Sequence, residues 1–210
     1  MRHERLPYAL FAVSRKMAEQ LVGRLFAGFL GWKDGYIGPG ARVMGSRHIS
    51  VGERAYINRY AWIEAVHTFR AQSFAPVIQI GRGFSASDRL HISAVNRIEI
   101  GDDCLFGSGI YISDHNHGSY KGTEHSDPAH PPVDRELLSL GPVTIGSNVW
   151  LGDNVIIIGP LSIGDGAVIG ANSVVLQNIP MNTIAAGSPA KKIKHFNRTS
   201  QRWEEKINLL

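Results

Sequence analysis

Residues 145–179 read I-G-S-N-V-W, L-G-D-N-V-I, I-I-G-P-L-S, I-G-D-G-A-V, I-G-A-N-S-V and V-L-Q-N-I, and this run of hexads decides the fold. Ile145, Leu151, Ile157, Ile163, Ile169 and Val175 stand six apart, and Gly146, Gly152, Gly164 and Gly170 follow four of them. Four residues after each aliphatic comes another small or apolar side chain: Val149, Val155, Leu161, Ala167, Ser173 and Ile179. A period of six fits neither the helical turn of about 3.6 residues nor the two-residue alternation of a simple strand. A triangular β-solenoid needs it. Each hexad lays one short strand along a face, points its aliphatic inward and takes the corner on Gly, and three hexads complete a coil.

The same signature recurs upstream at Val51-Gly52, Ile57 and Ile63, at Ile80-Gly81, Ile92 and Ile98, and at Ile100-Gly101, Phe106 and Ile112. Its phase slips by two between Ile80 and Ile100, which marks an irregular turn. From Ile37 to Ala190 there is room for about seven coils, a prism on the order of 35 Å tall at a strand spacing of about 4.8 Å. Three segments follow from this pattern: an N-terminal helical cap over 1–36, the solenoid over 37–190, and a basic tail with a short helix over 191–210. The cap reads as one amphipathic helix over 6–30, with Leu6, Leu10, Val13, Met17, Leu21 and Leu25 at spacings of three and four. That stripe has two uses, covering the open end of the first coil or lying on a membrane, and Phe26, Phe29, Leu30 and Trp32 suit the second. Two stretches break the hexads, a ragged excursion over 65–76 and a long loop over 114–142.

Composition narrows the function. Hydrophobic residues make up 43% and charged residues 19%, as in a soluble globular chain. Cys104 is the only cysteine, so an intrachain disulfide is impossible, and beside Leu105 and Phe106 it reads as a small buried hydrophobe. No secretory leader and no apolar run of about 18 residues is apparent, which points to the cytoplasm. The net charge of +4 comes largely from the two ends, with Arg2, Arg5, Arg15, Lys16 and Arg24 at one and Lys191, Lys192, Lys194, Arg198, Arg202 and Lys206 at the other. These suit an anionic membrane surface and a phosphate-bearing ligand respectively. Nucleic acid is not expected, because the basic residues are not interleaved with aromatics in a recognisable reader module.

The long loop opens with Ser113-Asp114-His115-Asn116-His117-Gly118. Two histidines and a carboxylate at such a junction suit proton transfer, since imidazole titrates near neutrality and a carboxylate steadies its cation. Asp114 is adjacent to orient the His115 ring. Neighbours on a strand point to opposite sides, however, which leaves a backbone carbonyl as the alternative.

The hexads, the Ile110-Tyr111-Ile112-Ser113-Asp114-His115 run, Asn148-Val149-Trp150-Leu151-Gly152 and Ile184-Ala185-Ala186-Gly187-Ser188-Pro189-Ala190 together resemble the hexapeptide-repeat acyltransferases. The branch of galactoside, maltose and Nod-factor acetyltransferases, with the O-acetyltransferases of O-antigen and exopolysaccharide synthesis, is the most similar. Resemblance extends over about residues 37–195.

It implies a left-handed parallel β-helix, a homotrimer with sites between subunits, acetyl-CoA as co-substrate and no metal. The acceptor it implies is a saccharide hydroxyl, in surface polysaccharide or lipopolysaccharide synthesis. A His at the start of the protruding loop would be the general base; His115 holds that place, with His117 as runner-up. Trp150 matches the family's Trp beside that His, either as a contact to the donor or as a bulky outward residue shielding a trimer interface. Family contacts to the donor fall on Gly152, Asp153, Ala171, Leu176, Gln177, Lys191 and Lys194. Where relatives carry Thr-Lys, this chain has Leu176-Gln177, which removes one cation from the phosphate site. Glu64, Arg89, His91 and Tyr120 are the acceptor candidates.

Two rival readings remain at this level. One is a γ-carbonic-anhydrase-like zinc enzyme built on His91, His115 and His117. The stretch 145–180, where that family places ligands, contains no His. The other is a non-catalytic solenoid scaffold.

Overall fold

The computed structural model describes residues 5–205, with side chains from residue 13 onward. Successive short strands visit three parallel sheets in rotation: Tyr36–Ile37, then Arg42–Met44, then Ile49–Val51, and back to the first sheet at Tyr56–Ile57. The sheets are the three faces of a prism. Six coils are complete and a seventh begins at Thr183–Gly187, in agreement with the count from the hexads.

Every coil sends apolar side chains inward from each face. On the first face Ile37, Ile57, Ala86, Phe106, Leu151, Ile169 and Ala185 form one buried column, each at most 1% exposed. Burying an Ile or Leu stabilises by about 1.5–3 kcal/mol, so this column and its two counterparts account for most of the fold's driving force.

The phase slip has a plain origin. Trp150 pairs with Val168, 18 residues on, whereas Tyr36 pairs with Tyr56 and His91 with Tyr111, each 20 residues on. The two extra residues sit at the corner between the second and third faces. There Ile92 and Ile98 are six apart where Ile157 and Leu161 are four apart. The two breaks appear as larger register steps: Tyr56 pairs with Ser85, and Leu105 with Trp150.

Glycine directly after an inward aliphatic, as at Gly152 and Gly170, is required by stacking rather than by backbone twist. A Cβ on Gly152 would lie 2.6 Å from the Ala171 amide nitrogen of the next coil. The left-handed backbone of each turn falls two residues later, on Asn154 and Asn172 (φ 57° and 58°), residues that tolerate it.

At one end lies the helix α1 (Arg5–Phe29), which crosses the first coil as a cap. Of the two uses read from the sequence, the capping one is made without the Leu stripe. The Leu stripe does not meet the solenoid: Val13, Met17, Leu21 and Leu25 are 57–68% exposed, while Leu6 and Leu10 lie outside the described side chains. The contact is made by small residues instead. Ala27 is fully buried, and Gly23 is so close to Tyr36 that a Cβ would come within 2.3 Å of its ring. Glu19 bonds Arg59 (2.7 Å), Gln20 donates to the Tyr56 hydroxyl (3.4 Å), and Trp32 joins the core beneath the cap.

The other end departs from expectation. Instead of a C-terminal helix, Ala190–Asn197 turns back antiparallel on Thr183–Gly187, and Arg202–Glu205 pairs antiparallel with Lys194–Asn197. A helix cannot satisfy the open edge of the last coil, but an antiparallel hairpin can. Residues 206–210 of the expected helix lie outside the described part.

Candidate active site

The fourth coil carries the loop. Its second-face strand Tyr111–Ser113 ends at Asp114, the chain leaves the prism through His115–His117, and it returns along Leu137–Ser139, antiparallel to the outgoing strand. Asp114 is fully buried at the bend. Its carboxylate accepts the amides of Val95 (2.9 Å) and Asn96 (2.8 Å), the widened corner of the coil below. The same Oδ1 stands 3.1 Å from His115 Nδ1, and the Ser113 hydroxyl is 3.4 Å from that nitrogen. The His115 side chain is 11% exposed. The arrangement therefore offers a carboxylate fixed by two backbone donors, an imidazole held through Nδ1, and an Nε2 free to exchange a proton.

On the second face, outward residues stack in register from coil to coil. One column runs Arg42, Trp62, His91 and Tyr111; the next runs Glu64, Ser93 and Ser113, ending beside His115. His91 lies flat against Trp62 (4.6 Å between ring centres) and edge-on to Tyr111 (5.0 Å). Burial, with the nearby His115 as a lesser cause, lowers its pKa from the usual 6.5, so the neutral ring is favoured there. Arg89 is an exposed corner residue between the first and second faces.

His117 and Tyr120 belong to the loop's own framework. The Tyr120 hydroxyl donates to the His117 carbonyl (2.7 Å) and accepts from Arg135 (2.6 Å). Arg135 is itself buried and also donates to the His130 and Pro128 carbonyls. The excursion over 65–76 docks on this framework, a link that the sequence did not reveal. Gln72 makes two bonds with the Leu137 backbone (2.8 and 3.0 Å), Arg70 pairs with Asp134, and Phe69 meets His117 edge-on at 5.5 Å. Gln72 sits in a stretch without period, so only its amide chemistry could have marked it.

The donor candidates divide between the two edges of the second face: Gly152, Asp153 and Ala171 at the edge away from the loop, and Leu176 and Gln177, which follow the strand Val174–Val175, at the edge from which the loop leaves. Gly152 and Asp153 form the first-to-second corner of the fifth coil, and Ala171 lies directly above on the sixth. Asp153 has part of its carboxylate committed, since Oδ1 accepts the Ser108 amide at 2.7 Å. Gln177 donates to the Ala190 carbonyl (3.2 Å), bringing the exposed Leu176 and Gln177 near the turn that leads to Lys191. Lys191 is exposed on the returning strand, whereas Lys194 faces Glu205 at 3.8 Å. Trp150 is 53% exposed on the first face, beside the exposed Leu105. Trp150 thus stands on the first face, whereas His115 lies on the two-stranded loop sheet that leaves the second-to-third corner.

Among the described residues, no group of three or more His, Cys, Asp or Glu is placed to hold a metal ion. His91, His115 and His117 therefore do not make up such a group. Cys104 is buried, and burial pushes its thiol pKa up to about 11, as suits a packing residue.

Comparison with known proteins is consistent with this geometry. Residues 142–177 match the family described as bacterial transferase hexapeptide (six repeats). The chain is 44% identical over 132 residues to WbbJ of Escherichia coli strain K12, whose name assigns it to lipopolysaccharide biosynthesis O-acetyl transfer. That match covers 61% of this chain and 66% of WbbJ. Galactoside O-acetyltransferase of the same organism is 36% identical over 148 residues, covering 68% of this chain and 64% of that protein. The chain therefore spans just under two thirds of the length of both curated relatives. Among solved structures, a galactoside acetyltransferase in complex with coenzyme A superposes with a TM-score of 0.53 at 30% identity, over 75% of this chain and 70% of that one. A variant of AntD, an N-acyltransferase from Bacillus cereus, shares the fold at a TM-score of 0.62 and 19% identity, over 84% of this chain and 91% of that one.

Proposed function

We propose that this chain, which belongs to the hexapeptide-repeat transferase family, is an O-acetyltransferase moving an acetyl group from acetyl-CoA to a sugar hydroxyl of a surface polysaccharide or lipopolysaccharide. One observation carries the reading: the buried Asp114 carboxylate at 3.1 Å from His115 Nδ1, at the mouth of the loop. With Nδ1–H donating to Asp114, the Nε2 lone pair faces outward as a base.

His115 then takes the acceptor hydroxyl proton as that oxygen attacks the thioester carbonyl carbon. The imidazolium, steadied by Asp114, returns the proton to the departing sulfur, so no acyl-enzyme bond is needed. The Gly152, Asp153 and Ala171 corner, with Leu176, Gln177, Lys191 and Lys194 beyond it, is the proposed donor groove. Glu64, Arg89 and His91 are the proposed acceptor contacts. Tyr120 contributes through the loop, since its hydroxyl is already bonded to Arg135 and His117.

The Gly152, Asp153 and Ala171 corner and His115 lie at opposite edges of one face, and Trp150 lies on another. These separations support a homotrimer in which that corner of one chain meets the loop of its neighbour. The left-handed winding and the cytoplasmic site of action complete this reading.

Replacing His115 with Ala tests it. The expected loss in kcat is at least about a hundredfold, with acetyl-CoA affinity unchanged. Near-normal turnover in His115→Ala, with loss in His117→Ala, would move the base to His117; normal turnover in both would overturn the mechanism.

A further inference from the structure

Among the described residues, the large apolar side chains on the face of α1 turned away from the solenoid are left exposed. At about 100° per residue, Met17, Leu21, Leu25, Ala18, Phe29 and Val22 fall within an arc of roughly 140°. Among the described helix side chains, Ser14 alone interrupts that arc with a polar group. Met17, Leu21, Val22 and Leu25 are 62–68% exposed and Phe29 is 86% exposed. Gly23 and Ala27, on the opposite side, are the residues that seat the helix on the prism.

Charge says what kind of partner fits. Arg24 borders the apolar arc on one side and Arg15 on the other. Glu19 is the one carboxylate among the described helix side chains, and it is turned inward to Arg59, with Arg15 alongside at 3.6 Å. An apolar band flanked by cations matches the boundary between lipid headgroups and acyl chains in an anionic bilayer. No described helix is long and apolar enough to cross a membrane, so the match is to lying on one.

We infer that α1 docks this protein on an anionic membrane surface through Met17, Leu21, Val22, Leu25 and Phe29, with Arg15 and Arg24 contacting lipid headgroups. The inference deepens the acetyltransferase reading, on which it rests for its purpose: it selects an acceptor carried on lipid over one free in solution. In a trimer with parallel axes, three such helices would sit at one end of the prism and bind together. Weak single contacts then become firm attachment.

Flotation of the full chain with vesicles tests this, using phosphatidylcholine alone or with about 30% phosphatidylglycerol. We expect binding to the anionic vesicles, weaker binding to the neutral ones, and a decline as salt rises. The double variant Leu21→Glu/Leu25→Glu replaces exposed residues and should fold with an unchanged thermal midpoint. It should bind anionic vesicles at least about tenfold more weakly. Calorimetric affinity for acetyl-CoA should be the same in both proteins; absence of CoA binding in both would count against the acetyltransferase reading and leave the vesicle result standing. Failure of the parent chain to float, or equal flotation of the variant, overturns the inference. A variant that falls to a smaller assembly in light scattering overturns it too, by showing that the face joins copies of the chain.

Discussion

At Asp114 a single carboxylate both ties two coils together and faces the imidazole of His115, so neutralising it has two separable effects. In Asp114→Asn one oxygen becomes an NH₂ that must oppose the Val95 or Asn96 amide, a buried donor facing a donor. That mismatch costs about 1–3 kcal/mol of stability, read as a lower thermal midpoint. The ring also loses its anionic partner, and kcat should fall by at least about tenfold at unchanged acetyl-CoA affinity. A variant with normal stability and low kcat would show that the coil contact is minor; the reverse would show that the ring does not depend on Asp114. Sequence placed both residues at the loop mouth but left the orienting group open, because alternation along a strand puts neighbours on opposite sides. The alternation ends at the bend after Ser113, and that change of direction is what brings Oδ1 to Nδ1. Ser113 itself was legible only as an outward residue beside an inward Ile112.

Among the elements, the hexads were the most legible because each aliphatic has one environment, the prism interior, and a period of six leaves no other arrangement. The slip between Ile80 and Ile100 was visible as an irregularity, and its place at the second-to-third corner required the register. Helix α1 shows the limit of pattern reading. The stripe was present in the sequence, but amphipathicity identifies an apolar face without naming what covers it, and close approach at Gly23 and Ala27 won the contact. The C-terminal helix was misread for a related reason: the open edge of the last coil demands hydrogen-bond partners, and a strand supplies them. The excursion over 65–76 was recognised as such, yet its docking on the loop was not. Its Gln72 reaches Leu137, 65 positions away. Gln72→Ala should free the loop, raising the acceptor KM several-fold while kcat and donor KM change little. Faster proteolytic cleavage between 118 and 136 should accompany this; an unchanged cleavage rate would show that the loop holds itself through Arg135.

For the whole molecule, the separation of Trp150 on the first face from His115 on the loop has a direct test in solution. Light scattering should report three times the chain mass, and two inactive variants, His115→Ala and Trp150→Ala, should complement when co-expressed. If each site takes one residue from each of two neighbours, random mixing restores about a quarter of the sites. A monomer, or mixtures as dead as their parents, would place each site within one chain. The hairpin Ala190–Asn197 with Arg202–Glu205 has a consequence of another kind. Stacked parallel coils are a growing polymer in miniature, since each rung presents the next with an identical row of amides and carbonyls. By reversing strand direction, the hairpin acts as a chain terminator for that growth, as α1 does at the opposite end. A chain ending at residue 189 should keep its inner coils yet lose the stop, and assemble end to end into concentration-dependent filaments visible by electron microscopy. A truncated chain that stays at its original size would assign the stop to the last coil itself.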